Sequence, residues 1–189
     1  ATPSAAAEPT ACDRLASHPE DPDRVAPPVE TTDLDFATAI AACRADIAAD
    51  PGNGRLHYQL GRLLFYDKQN QEAVAAVRTA ADLGYRQAQF VFGAFINNAR
   101  PYAPTDICLV EHYWRKSAAA GRQAARIGYV RHALKGKFAG CAAQPADADM
   151  AGFLAAAAAD NPDYYQRLLI EDLTEQLTAR QSTRARPAP

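Results

Sequence analysis

The sequence contains no apolar run approaching the roughly 20 residues that a membrane-spanning helix requires. Its longest candidate, "AGFLAAAAA" at 151–159, is about two helical turns and mostly alanine. No CxxC pair occurs, which argues against a structural zinc site or a thioredoxin-type redox centre. A glycine-rich phosphate loop, a GxSxG nucleophile turn and an HExxH zinc motif are also absent. Aromatic residues are scarce at 8%, although 48% of the 189 residues are hydrophobic, because much of that fraction is alanine. Alanine is the best helix former and adds little side-chain volume, so the composition points to closely packed helices and no strand. The length suits one well-buried domain or a short repeat array.

A net charge of −2 hides an asymmetry. Residues 1–36 carry eight acids against two bases, and residues 86–137 carry nine bases against two acids. Residues 138–189 turn acidic again, with seven acids against four bases, while 37–85 balance at five each. A basic middle between acidic ends is able to neutralise itself, so no nucleic-acid partner follows from it.

The first residues, "ATPSAAAEPTA", form a low-complexity segment without an initiating methionine. They read as a mature N-terminus left after removal of a secretory signal, although a truncated chain would open the same way. Residues 1–11 are expected to be flexible. The cysteines, Cys12, Cys43, Cys108 and Cys141, are an even set with wide spacing. In an exported protein they imply two disulfides, for which three connectivities exist.

From Cys12 to Asp33 prolines and scattered acids forbid a long helix, so 12–33 is expected to be an extended arm. Helical periodicity then hardly stops. Leu56, Leu60, Leu63 and Leu64 share one face, as do Ala73, Val77, Ala80 and Ala81. Ala88, Phe92, Phe95 and Ile96 form a third stripe, and Ile127, Val130, Leu134 and Phe138 a fourth. A last helix over 162–178 starts on Pro162, with Tyr165, Leu168, Leu169, Leu173 and Leu177 along one side. The basic tail, 179–189, is expected to be disordered. About eight helices in short antiparallel pairs result, as a single domain over 12–178.

The block "AADLGYRQAQFVFG" at 80–93 recurs in part as "AAAGRQAARIGYV" at 118–130. Gly84 and Gly121 lie 37 residues apart, and Ala88 and Ala125 keep that spacing. Each glycine ends a helix and each alanine lets the next helix approach closely. Upstream, Gly61 of "YQLGRLLF" precedes Gly93 of "FVFGAFI" by 32 residues, so the period alternates between two lengths. With Ala88, Gln89 and Gly93 in one helix, and Tyr113, Trp114, Lys116, Ala118, Ala119 and Gly121 in the next, the chain resembles the Sel1-like repeat proteins. These are relatives of the tetratricopeptide repeats. Leu60, Gly61, Ala73 and Ala80 suit the tetratricopeptide positions of the preceding pair. The aromatic order at Tyr113–Trp114 is inverted, and Val130 stands where a small residue is expected. The resemblance covers about 36–160 and implies a short all-α solenoid, a superhelix of antiparallel helix pairs. Its layout is similar to periplasmic members from α-proteobacteria.

The stretch "CLVEHYWRKSAAAG" at 108–121 concentrates functional groups. Cys108 and His112 stand at i and i+4 on one helix face, where a Cys–His dyad or half a metal site is possible. A disulfide competes. If 106–120 and 123–138 pair antiparallel about Gly121, Cys108 and Cys141 lie at the same end of the pair. Cys12 would then bond Cys43, pinning the arm onto the first helix as a cap. Glu111, His112 and Arg115 are left as surface residues, and Glu20, Asp21 and Asp23 as a solvated acidic loop. Arg122 and Arg126 share one side of their helix, with Arg131 and Lys135 nearly opposite. That helix, which also bears Lys137, is read as solvated surface before a docking face for an acidic partner.

From these features a non-enzymatic interaction module is expected, exported to the periplasm. Its partner would be another protein or peptide of the envelope, with no cofactor, no metal, no nucleic acid and no membrane span of its own. The resemblance places its concave residues on the first helix of each pair: His57, Tyr58, Arg62, Gln89, Asn97, Asn98 and Tyr129. The alternative is a cysteine-rich enzyme of this type acting on the cell wall or on a β-lactam, which requires a free thiol or a metal.

Overall fold

The computed structural model describes residues 8–185. Residues 1–7 and 186–189, which hold most of the first segment and the end of the tail, lie outside the described residues. Among those described there are nine α-helices and no strand. They are α1 Ala11–Ala16, α2 Phe36–Ala49, α3 Gly54–Tyr66, α4 Asn70–Asp82, α5 Arg86–Asn97, α6 Ile107–Ala119, α7 Gln123–Leu134, α8 Asp147–Ala159 and α9 Tyr164–Ala185. Successive helices pack on each other in a short α-solenoid, and α9 closes against both α7 and α8.

Eight of these helices answer to the periodic segments, and α1 is the addition. The Thr10 hydroxyl accepts from the Asp13 N–H at 3.2 Å, and the Asp13 carboxylate accepts from the Thr10 N–H at 2.9 Å. This capping box nucleates a short helix where an extended chain was expected from Cys12. Gly84 at φ +87° and Gly121 at φ +93° end α4 and α6. Each glycine N–H bonds back three residues, and the following N–H bonds back five, which satisfies the last carbonyls of the helix.

The stripe of α4 is wholly buried. On α3 and α5, Leu60 and Phe95 are half-buried edges of otherwise buried rows. α7 ends at Leu134, short of the expected boundary, because Gly136 at φ +70° turns the chain there. Phe138 nevertheless folds back into the core and stacks on Tyr129, with ring centroids 5.6 Å apart.

Trp114 joins consecutive repeats. Its indole stacks on Phe90, meets His132 edge-on at 4.8 Å and donates Nε1–H to the Phe90 carbonyl at 2.9 Å. Gly93 of α5 lies directly beneath it, so close that a Cβ there would collide with the indole. Glu111 departs from its expected surface position. It is 3% exposed, receiving Arg115 Nε–H at 2.8 Å and the Tyr129 hydroxyl at 3.3 Å.

α9 differs from expectation at both ends. Pro162 precedes the helix, and Asp163 with Gln166 forms the cap through reciprocal bonds of 2.8 and 3.1 Å. Tyr165 and Leu168 are exposed, and the buried row is Ile170, Leu173 and Leu177. The turn at Asn161, with φ +45°, carries the first helical turn clear of the core. The helix then runs past 178 to Ala185, because Arg180 and Arg184 each reach Asp147 of α8 at 3.3 Å. Among the described residues no helix is long and apolar enough to cross a membrane.

Candidate functional site

In a stack of this kind α3, α5 and α7 line the inner face. The N-terminal arm lies across them. Arg62, only 5% exposed, donates to the carbonyls of Ala16 and Ser17 at 3.1 Å and of Val29 at 2.8 Å. Arg55 grips both oxygens of Asp13 at 2.7 and 3.0 Å, and Gln59 adds a bond of 2.9 Å. Asp21 accepts the Tyr85 hydroxyl proton at 2.6 Å. Arg86 holds Asp23 in a fork at 2.6 and 2.7 Å, and Arg122 donates to the Glu20 carbonyl at 3.2 Å. The expectation of a solvated acidic loop therefore fails at Asp21, which is 1% exposed. The acidic N-terminus meets the basic middle of the chain, as the charge asymmetry allows.

The contacts shift the arm's ionisable groups. Burial alone would raise the Asp13 carboxyl, but the bonds from Arg55, the Thr10 N–H and Gln59 override it and hold the group below the usual range. Asp21 moves upward, because burial outweighs the bonds from Tyr85 and the Asp23 N–H. His18 is pushed down to about 4 by burial and by the cations Arg62 and Arg122. Its Nδ1 accepts the Glu20 N–H at 2.9 Å, which needs the neutral ring.

Beside the arm, with His18 at its edge, a groove of about 270 Å³ opens between α3 and α5. Tyr58, Arg62, Phe65 and Tyr66 form one wall, with Val91, Ala94, Phe95 and Asn98 opposite and Val77 at the floor. Phe65 and Phe95 stack at 5.4 Å, Arg62 lies over Tyr66 at 5.7 Å, and Arg100 lies over Phe65 at 5.6 Å. A second depression of about 220 Å³ shares Phe65, Phe95 and Arg100 and adds Lys68. No aspartate or glutamate lines either one.

The seven residues expected on the concave face have different fates. Tyr58, Arg62 and Asn98 come together in the groove. Tyr58 is 3% exposed and accepts from Gln87 at 3.1 Å. Gln89 and Tyr129 are buried, bonded to the Ala81 carbonyl at 3.3 Å and to Glu111. His57 reaches the Pro51 carbonyl at 2.9 Å, and Asn97 is exposed and bonded to His132 at 3.0 Å. Phe65, Phe95 and Arg100, the centre of the groove, were not singled out by position in the repeat. Phe95 had been counted as core, and its half-burial is the signal of a second role.

The four cysteines form Cys12–Cys43 and Cys108–Cys141, with Cα atoms 4.4 and 5.3 Å apart. Cys108 thus holds no thiol for His112. Among the described residues no three His, Cys, Asp or Glu side chains are arranged to hold a metal ion. On α7 the expected division appears: Arg122 and Arg126 turn inward to the arm and to the Ala118 carbonyl, while Arg131 and Lys135 are exposed.

The sequence matches no family model and no curated protein. Among solved structures, a Sel1 repeat protein from Oxalobacter formigenes superposes with a TM-score of 0.57 at 21% identity, covering 70% of this chain and 97% of the other. The fold is Sel1-like.

Proposed function

We propose that the chain is a non-enzymatic interaction module of an oxidising envelope compartment, the periplasm, that holds a protein or peptide partner along its inner face. The groove between α3 and α5 carries this proposal. It is concave, aromatic-walled and left open by the arm that covers the rest of the face. Two disulfides suit an exported protein.

A photo-crosslinking side chain at the exposed Asn98, used in the native envelope, tests it. One specific, saturable adduct is expected, and a matching exposed position outside the groove, such as Lys135, should give none. Adducts from Lys135 alone would remove the groove that carries the proposal. A stoichiometric, salt-resistant complex would mark an accessory subunit, and a weak saturable one a regulator. The competing enzyme acting on cell wall or β-lactam needs a free thiol or a metal, and among the described residues all four cysteines are in disulfides. Its test is intact mass after alkylation without reductant, where no added mass is expected.

A further inference from the structure

The inner face already holds one ligand, the arm, and the way it does so shows what chemistry the face accepts. The arm is an acidic, proline-rich segment, a short helix followed by turns and irregular stretches. Its carboxylates pair with Arg55 and Arg86 and with the Tyr85 hydroxyl, and its backbone carbonyls are taken by Arg62 and Arg122. The groove continues the same face; the arm reaches its edge at His18 and Arg62 but makes no hydrogen bond to Phe65, Phe95, Lys68 or Arg100.

Arg62 is buried, yet its hydrogen bonds all go to neutral carbonyls, and its Nε–H has no partner. Among the described residues Arg62, Arg100 and Lys68 have no carboxylate at ion-pair distance. A buried cation without a counter-charge is costly and favours any anion brought to its rim. Between these cations lies the Phe65–Phe95 stack, which gives an apolar side chain a flat seat. At about 270 Å³ the groove falls just short of typical small-molecule sites, which start near ~300 Å³, and suits one anchoring side chain of a longer strand.

From this, and resting on the interaction-module proposal, we infer that the groove binds an acidic peptide segment of a partner protein. One aromatic or large aliphatic side chain sits against Phe65 and Phe95, and neighbouring carboxylates face Arg62, Arg100 and Lys68. The arm and the partner strand lie end to end on one inner face.

The test uses the full, disulfide-intact chain and a displayed library of random linear peptides as probe. Parallel selections use Arg100→Glu, which reverses the rim charge, and Ala94→Trp, which fills the groove. Neither residue holds the arm. Enriched peptides are expected to be net acidic with one bulky apolar residue, and to bind either variant roughly tenfold or more weakly. Their lysine-for-acid counterparts should lose a similar factor. Enrichment of basic or uncharged peptides, no enrichment, or binding indifferent to both substitutions would overturn the inference. The Asn98 crosslink separates the two levels: an inner-face adduct alongside a failed selection leaves the module standing and removes the acidic strand. Adducts confined to Lys135 remove both.

Discussion

Acidification should loosen the arm, and His18 is the reason. Its folded pKa of about 4 lies well below the ordinary value of 6.5. The unfolded or detached arm therefore binds a proton that the docked arm refuses, and stability rises with pH across the interval between these values. Above pH 6.5 the group contributes nothing, and below about 4 the loss is complete. At pH 5 the difference amounts to at most about 2 kcal/mol at one pKa unit per 1.36 kcal/mol, less the solvent screening of a partly exposed ring. Protonation also destroys the acceptor that Nδ1 offers to the Glu20 N–H, while Arg62 and Arg122 repel the new charge. The measurement is an NMR titration of the His18 ring together with amide exchange of residues 17–30 between pH 7 and 5. His18→Asn, which keeps a side-chain acceptor but does not titrate, should flatten the exchange profile. A ring pKa above 6, or an unchanged profile in the variant, would refute the account.

The same substitution at two glycines should act in opposite directions. Gly93→Ala drives a Cβ into the boxed-in Trp114 indole and should cost about 1–3 kcal/mol in a denaturant melt. Gly152→Ala, within α8 and with open space around its Cβ, should gain about 0.5–1 kcal/mol. Ala99→Gly should stabilise by about 1 kcal/mol in the same melt, because Ala99 ends α5 at φ +48°. Replacing Cys12 and Cys43 by serine opens a loop with a sequence separation of 31 and should cost up to about 3–4 kcal/mol. Exchange protection of 17–30 should fall with it, and an unchanged melt would show that the bridge does not brace the arm.

Helix positions and most of the core were legible because they follow from short-range periodicity. Ala73, Val77, Ala80 and Ala81 are buried as a set, and Gly84 and Gly121 turn the chain where the repeat places them. The arm was misread because its partners are remote: Asp21 meets Tyr85 and Asp23 meets Arg86 across 64 and 63 residues. Locally "PEDPD" has the composition of a solvated loop, and only the folded stack brings it cations. Glu111 was misread for the same reason, since Tyr129 reaches it from the neighbouring helix. Of the candidate site, Tyr58, Arg62 and Asn98 were found by repeat position. Arg100 lies in a loop that no helical pattern reaches.

The arm is fastened at both ends, to α2 through Cys12–Cys43 and again where the chain enters α2 at Phe36. It is therefore a closed loop that can bow away from the inner face but cannot depart. Its docking is an intramolecular event, with an effective concentration on the order of millimolar for so short a tether. Any partner that reaches toward Arg55, Arg62, Tyr85 or Arg86 competes against that reservoir, while one confined to Phe65, Phe95 and Arg100 does not. Cutting the disulfide removes the arm's tie to α2 at Cys43, so the thiol state of one bond sets how much of the face is open to competition.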